Sequence, residues 1–247
     1  MTAVLQVGDQ TIRSEELIPL LAKYQLLPQL VRELVIEQAI ALIDYTPEEK
    51  TTVCQIFYEK NQVTSESERQ AWLERQGITP EQAEDLAIRG LKLEKFKQAT
   101  WGNKLESYFL KRKGQLDRVV YSLIRTKDAP IAQELYFRIK EGEQPFAELA
   151  RDYSQGPEAQ TGGLVGPVEL SVPHPVLAQM LTVSQPGQLW HPTRLGEWFI
   201  IVRLEKFFPV QLDESMRQRL LNELFNTWLQ EQLQQQVSIN SLNAATS

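Results

Sequence analysis

The chain has 247 residues, of which 42% are hydrophobic and 23% charged, which is enough for one large or two small folded domains. This composition excludes a disordered tail, a collagen-like fibre and a disulfide scaffold. The net charge of −6 argues against nucleic acid or anionic lipid as the main ligand, because both require basic patches.

The N-terminal sequence from Met1 to Asp9 has no basic region, no long apolar region and no small-residue cleavage site. We therefore expect a cytoplasmic protein. Nowhere do about 18 apolar residues run together, so we expect no membrane span. Cys54, the single cysteine, has no partner for an internal disulfide, and its apolar neighbours predict a buried structural thiol.

The first hundred residues predict an all-helical region. We expect a first helix with Ser14 as its N-cap, and the apolar run over 30–43 predicts a second helix that is buried on most sides. Three more helices are predicted where a hydroxyl side chain precedes acidic residues, at Thr46, Ser65 and Thr79.

The pattern changes after Gly114, which we expect to end a helix as its C-cap. The β-branched and aromatic segments 118–125 and 198–204 predict strands. The other segments predict, in chain order, helices over 131–140 and 145–153, an irregular loop over 156–167 containing a short strand at 163–166, a short helix after 175 and a short strand at 187–190.

A last helix is predicted after Asp213 as its N-cap, with an apolar stripe that needs a partner in water. The sequence therefore predicts an α+β protein. Its expected parts are a helical body over 1–115, a small α+β domain over 117–206, a helix over 212–236 that packs on the body, and a polar tail over 237–247.

Two sequence blocks of the small domain carry a family resemblance. Phe146-Ala147-Glu148-Leu149-Ala150-Arg151-Asp152-Tyr153-Ser154 is followed by Gly162-Gly163-Leu164-Val165-Gly166. This combination resembles the parvulin-type peptidyl-prolyl cis–trans isomerases over about residues 117–206. The opening from Gly8 to Leu17 is also similar to the helical chaperone region of SurA- and PrsA-like foldases.

The resemblance implies a small antiparallel sheet with surrounding helices, and isomerisation of X–Pro bonds without cofactor or metal. The implied partner is unfolded or proline-containing polypeptide, and the sequence carries no signal for an oligomeric state. The family's apolar pocket residues correspond to Val172 and Val176, with Leu177 and Met180 as neighbours, and its floor would begin at Trp198.

The polar centre departs from the family pattern. Parvulins place a histidine on the first strand, where this chain has Ser122, or Tyr121 if the alignment shifts by one. The last-strand histidine corresponds to Trp198, the Cys or Asp position to Gly156, and a frequent serine to Leu195. Ser122 is therefore the remaining catalytic candidate, while Leu195 and Trp198 are substrate-binding candidates, although Trp198 could also plug the groove.

Two functions stay open at this point. The chain is a parvulin-like isomerase, weakened or inactive through the missing histidines, or it is a non-catalytic chaperone or peptide-binding adaptor with a degenerate parvulin domain. The two histidines of the chain, His174 and His191, precede prolines and are expected in solvent-facing loops, without a metal-binding spacing around them.

Overall fold

The computed structural model describes residues 3–236 and divides them into two compact units. The first unit comprises residues 3–105 together with 217–236, and the second comprises Glu106–Met216. The predicted small domain, 117–206, lies within the second unit, and most of the last helix lies in the first.

The first unit opens with an antiparallel hairpin of β1 (Ala3–Val7) and β2 (Gln10–Arg13), where the sequence predicted only helices. That prediction is wrong for these residues. The two segments contain the β-branched residues Val4, Val7, Thr11 and Ile12, which suit a strand. The helices of the unit are α1 (Ser14–Lys23), α2 (Leu27–Ile40), α3 (Pro47–Lys60), α4 (Glu66–Gln76), α5 (Pro80–Trp101) and most of α10 (Glu214–Gln236).

The helix starts follow local side-chain chemistry. The predicted caps Thr46, Ser65 and Thr79 are confirmed, since each side chain accepts a hydrogen bond from the backbone three residues on. The cap predicted at Ser14 is wrong. Ser14 is already helical, and the N-cap is Arg13, whose backbone N–H donates to the Glu16 carboxylate at 2.8 Å.

The predicted burial of α2 on most sides is also wrong. Only one stripe of the helix is buried, where Val35, Ile36 and Ile40 pack with Phe225 and Leu229 of α10. The rest of the apolar arc includes large exposed side chains, among them Leu30 (38%) and Leu34 (52%).

The second unit is built around a four-stranded antiparallel sheet in the order β4-β3-β6-β5, which confirms the α+β class. Its elements are α6 (Leu105–Leu116), β3 (Arg118–Thr126), α7 (Ala129–Lys140), α8 (Phe146–Tyr153), a 3-10 helix (Pro157–Thr161), β4 (Leu164–Glu169), α9 (Pro175–Val183), β5 (Thr193–Leu195) and β6 (Trp198–Phe208).

Three local predictions for this unit are corrected. Gly114 lies inside α6, which continues to Leu116, so it is no C-cap. The segment 156–167, predicted as irregular, contains the 3-10 helix, whereas the short strand predicted within it at 163–166 is confirmed as the start of β4. The strand predicted at 187–190 is reduced to a single bridge between Leu189 and Arg203.

The two faces of the sheet pack against different helices, because successive side chains of a strand point to opposite faces. Tyr121, Leu123 and Ile200 share one cluster with Leu177 of α9. The opposite cluster contains Ile124 and Ile201, packed with Tyr136 and Leu135 of α7 and with Phe146 and Leu149 of α8. The first of these is called the α9 face below.

Candidate functional site

The rim of the candidate site is apolar and open to solvent. Val172 precedes α9 and is 69% exposed, and Val176 lies in its first turn and is 42% exposed. Pro175 begins the helix, and the His174 ring caps it, since Nδ1 of His174 accepts a hydrogen bond from the Val176 backbone N–H at 3.3 Å. His174 is exposed, as predicted, and its ring has this local structural role.

Leu177 and Met180 do not line an open pocket. Both are less than a tenth exposed and belong to the cluster under α9. Their predicted role in contacting substrate is corrected to support of the rim from below, because the helix turns these positions towards the sheet.

Leu195 and Trp198 are brought together by the turn between β5 and β6, where they form a cross-strand pair. Both are half-buried at the edge of the α9-side cluster. The Lys127 ammonium lies 4.9 Å from the centre of the Trp198 ring and 2.8 Å from the Glu197 carboxylate. One side of the indole is therefore covered by an exposed cation that a ligand could displace.

Ser122 lies on the wrong face of the sheet for a catalytic role. Its hydroxyl donates to Oε1 of Glu205 at 2.5 Å, and only 4% of the residue is exposed. The catalytic assignment of Ser122 is therefore corrected, because strand alternation turns its side chain away from α9. The neighbouring Tyr121, the other alignment considered, has its side chain on the α9 face.

The structure also separates the two strand positions of the expected polar centre. Tyr121 pairs with Leu204, so Trp198 lies six residues farther along β6. At roughly 3.3 Å per residue the two are about 20 Å apart along the strand. Tyr121 and Trp198 therefore do not act on one peptide bond together.

Tyr121 is 5% exposed, and its burial raises the pKa of its hydroxyl. The Arg125 charge opposes this shift of the pKa and the Glu158 charge adds to it. Tyr121 is thus a neutral phenol over the whole physiological pH range.

The structure contains a polar centre that was not predicted from the sequence. The Arg125 guanidinium donates from Nε to Oε1 of Glu158 at 2.8 Å and from Nη2 to Oε2 at 2.7 Å. The Ser154 hydroxyl donates to the same carboxylate at 2.6 Å and accepts from the Arg125 backbone N–H at 3.1 Å. This Arg125–Glu158 pair joins β3 to the loop after α8.

The pair explains the glycine at position 156. A β carbon there would overlap with the Glu158 carboxylate and with Nε of Arg125. A side chain at this position, which corresponds to the Cys or Asp of parvulins, would therefore require the Arg125–Glu158 pair to move.

Arg125 belongs to the α9 face. It pairs directly with Ile200, a member of the α9-side cluster, and follows Tyr121 and Leu123 at alternate positions of β3. A sequence signal existed: Arg125 is a cation that follows the apolar pair Leu123 and Ile124, at a position that shares the parity of Tyr121 and Leu123.

His191 is exposed, as predicted, but its ring is not free. It stacks on Tyr136 with ring centres 4.3 Å apart, and its Nε2 is 3.1 Å from the Tyr136 hydroxyl. Within residues 3–236 no group of three or more His, Cys, Asp or Glu side chains is placed to hold a metal ion. The same residues include no helix long and apolar enough to cross a membrane.

Comparisons with known proteins bear on the second unit. Residues 125–206 match the family model of the rotamase, or PPIC-type PPIASE, domain. Chaperone SurA of Shewanella oneidensis is 33% identical over 104 residues, which are 38% of this chain and 24% of that protein. Chaperone SurA of Shewanella sp. strain MR-7 gives the same values. The chain thus spans about a quarter of the length of the curated relatives it matches.

Solved structures with similarity include the peptidylprolyl isomerase PrsA of Bacillus anthracis, with a TM-score of 0.48 and 18% identity over 85% of this chain and 99% of that one. The parvulin domain of PpiD from E. coli has a TM-score of 0.35 and 28% identity over 40% of this chain and 97% of that one.

The predicted resemblance to parvulin-type domains is confirmed by the family match. The matches to Chaperone SurA agree with the predicted similarity to SurA-like foldases. The second unit therefore carries a PPIC-type domain whose polar centre consists of Arg125, Glu158 and Ser154, with Gly156 making room for the ion pair.

Proposed function

We propose that the protein is a peptidyl-prolyl cis–trans isomerase and foldase that acts on X–Pro bonds of unfolded or extended polypeptides. The observation that carries this proposal is the exposed apolar pair Val172 and Val176, which lies beside the α9 face of a PPIC-type domain. Exposed valines at the start of a helix offer a contact surface for a proline ring.

The chemistry needs neither a nucleophile nor a cofactor. Rotation about a peptide bond has a barrier of roughly 18–20 kcal/mol, and uncatalysed X–Pro exchange takes tens to hundreds of seconds. The protein accelerates rotation if it binds the twisted amide more tightly than either planar isomer. An apolar surface favours the twisted state, because loss of amide resonance reduces charge separation.

A second candidate function is holding of unfolded polypeptide without catalysis. Two observations favour it: no histidine lies in the polar centre, and α2 of the first unit leaves Leu30 and Leu34 exposed. Exposed apolar side chains of this size can bind apolar segments of other chains.

The cytoplasmic location remains a prediction, which cell fractionation would test.

A protease-coupled assay on short X–Pro peptides tests the first proposal with the full chain. We expect a rate above the uncatalysed one, and its loss by at least about tenfold in Val172→Glu/Val176→Glu, because charge at the rim repels an apolar ring. Leu110→Glu, at a 68% exposed position on α6, is the matched control and should keep the rate.

The same samples distinguish the two functions. A wild-type rate equal to the uncatalysed one, together with suppressed aggregation of an unfolded client, would support the holding function and exclude the isomerase function.

A further test is binding of an X–Pro peptide by Trp198→Ala. We expect affinity to fall roughly 3- to 10-fold, since an aromatic contact contributes about 0.5–1.5 kcal/mol. Unchanged binding would place Trp198 outside the groove.

A further inference from the structure

Arg125 uses only one edge of its guanidinium for the ion pair with Glu158. Nε and one N–H of Nη2 are directed at the carboxylate, which leaves three of the five N–H donors, on Nη1 and Nη2. Within residues 3–236 no further hydrogen bond of this side chain is found. Its side chain is 31% exposed, so part of it is accessible to a ligand.

The free edge is held in place by a buried partner. The Glu158 side chain is 2% exposed and also accepts a hydrogen bond from Ser154. A bidentate pair fixes the plane of a guanidinium as well as its position. Arg125 is therefore a donor that is oriented before any ligand arrives, which is the condition for a large electrostatic effect.

This donor lies on the sheet face that carries the candidate site. Arg125 points to the α9 face opposite Ile200, between the Tyr121 position of β3 and the end of β6 where Trp198 begins. The neighbouring Gly156 carries no side chain that could cover the ion pair. Tyr121 and Arg125 are thus polar groups that β3 presents on this face, and Arg125 is the more exposed of the two.

A fixed donor at this place acts on a property of the twisted amide. In the planar ground state the lone pair of the prolyl nitrogen is delocalised into the carbonyl group, and the nitrogen is a poor hydrogen-bond acceptor. In the twisted state the lone pair is localised on the nitrogen and accepts a hydrogen bond. A donor aimed at the nitrogen therefore stabilises the transition state and neither planar isomer.

We propose that Arg125 is the catalytic hydrogen-bond donor of the groove, which presents its free guanidinium edge to the nitrogen of the twisted X–Pro bond. Glu158 is the positioning residue that orients it. This inference rests on the proposed isomerase function and names the group that performs it where the sequence has no histidine.

The test is the double variant Arg125→Gln/Glu158→Gln. Replacement of Arg125 alone would leave the Glu158 carboxylate buried without a partner and could prevent folding. The double variant keeps a neutral, hydrogen-bonded pair. We expect kcat for an X–Pro peptide to fall at least about tenfold, while the Kd of the same peptide changes less than about twofold.

The matched control is Arg138→Gln on α7, which packs on the other face of the sheet. Its side chain is 26% exposed and hydrogen-bonds Glu134 and Gln144, so it is also a part-buried arginine. This variant should retain the wild-type kcat.

If the double variant does not fold, Arg125→Lys decides the question. An ammonium can pair with Glu158 but has no second planar edge, so we expect the same loss of kcat with retained peptide affinity. A folded variant with kcat within twofold of wild type would overturn the inference. Weaker binding with unchanged kcat would overturn it as well, since Arg125 would then be a binding residue. A wild-type protein without isomerase activity would instead overturn the proposed function.

Discussion

Gly156 lies so close to Glu158 that a β carbon at position 156 would overlap with the carboxylate, which is itself paired with Arg125. A side chain at this position, which corresponds to the Cys or Asp of parvulins, would therefore displace the ion pair. Beside this glycine the domain has an ion pair between β3 and the 3-10 helix.

This relationship predicts that an aspartate at position 156, as in the family pattern, destabilises the protein. Gly156→Asp should lower the free energy of unfolding by about 3 kcal/mol, because the new side chain meets both a steric overlap and a buried carboxylate. Urea unfolding followed by fluorescence measures it. Gly90→Ala on α5, where a β carbon meets open space, is the control and should add roughly 0.5–1 kcal/mol. A Gly156→Asp protein as stable as wild type would contradict the overlap.

Ser122→Ala should separate stability from catalysis. The loss of the hydrogen bond to Glu205 should cost about 1–2 kcal/mol of unfolding free energy, since the acceptor is a carboxylate. The isomerase rate should stay at the wild-type value, because the side chain faces away from α9. The exposed Ser107→Ala on α6 serves as control and should change neither quantity. A rate that falls with Ser122→Ala would restore Ser122 as the catalytic residue.

The packing of α10 on α2 predicts a large effect of Leu229. This side chain is 1% exposed in a cluster with Phe225 and Ile36. Leu229→Ala should lower the unfolding free energy by about 2–5 kcal/mol, through lost burial and the cavity that remains. Leu110→Ala, at an exposed position, should change it by less than about 0.5 kcal/mol. Equal stability of the two variants would show that α10 is not part of this core.

The buried hydroxyl of Tyr121 predicts a loss of stability at alkaline pH. Its folded-state pKa is raised above the ordinary value of 10.0, mainly by burial. The contribution of the protonated Tyr121 hydroxyl to the free energy of unfolding is therefore complete below pH 10.0. It is lost as the pH rises through the folded-state pKa, because the unfolded chain releases the proton first. Wild type should lose more unfolding free energy between pH 8 and pH 11 than Tyr121→Phe does. The ionisation of Tyr58, whose pKa is also raised, cancels in the comparison. Equal losses of unfolding free energy in wild type and Tyr121→Phe would show that the Tyr121 hydroxyl is exposed.

Local chemistry explains what could be predicted from the sequence. The caps at Thr46, Ser65 and Thr79 depend on contacts within four residues, and so do the helices that they begin. The parvulin motif likewise consists of residues close in sequence. The hairpin of β1 and β2 was missed because its two strands are only five and four residues long.

The candidate site is a different case. Val172 and Val176 are exposed in the structure, and their contact with substrate, which the resemblance implies, stays a prediction. Ser122 was misassigned because a shift of one residue along a strand turns a side chain to the opposite face. Arg125 and Glu158 were missed because they are 33 residues apart and meet only when the loop after α8 folds against β3.

The amino-acid sequence by itself determined the helix boundaries that depend on caps, the α+β class and the PPIC-type domain, because these follow from short-range patterns. Only the tertiary structure decided which strand residues face α9, which apolar side chains of α2 and α9 are buried, and where the polar centre lies. Those properties depend on strand register and on an ion pair between distant segments, and neither is encoded in any short stretch of the chain.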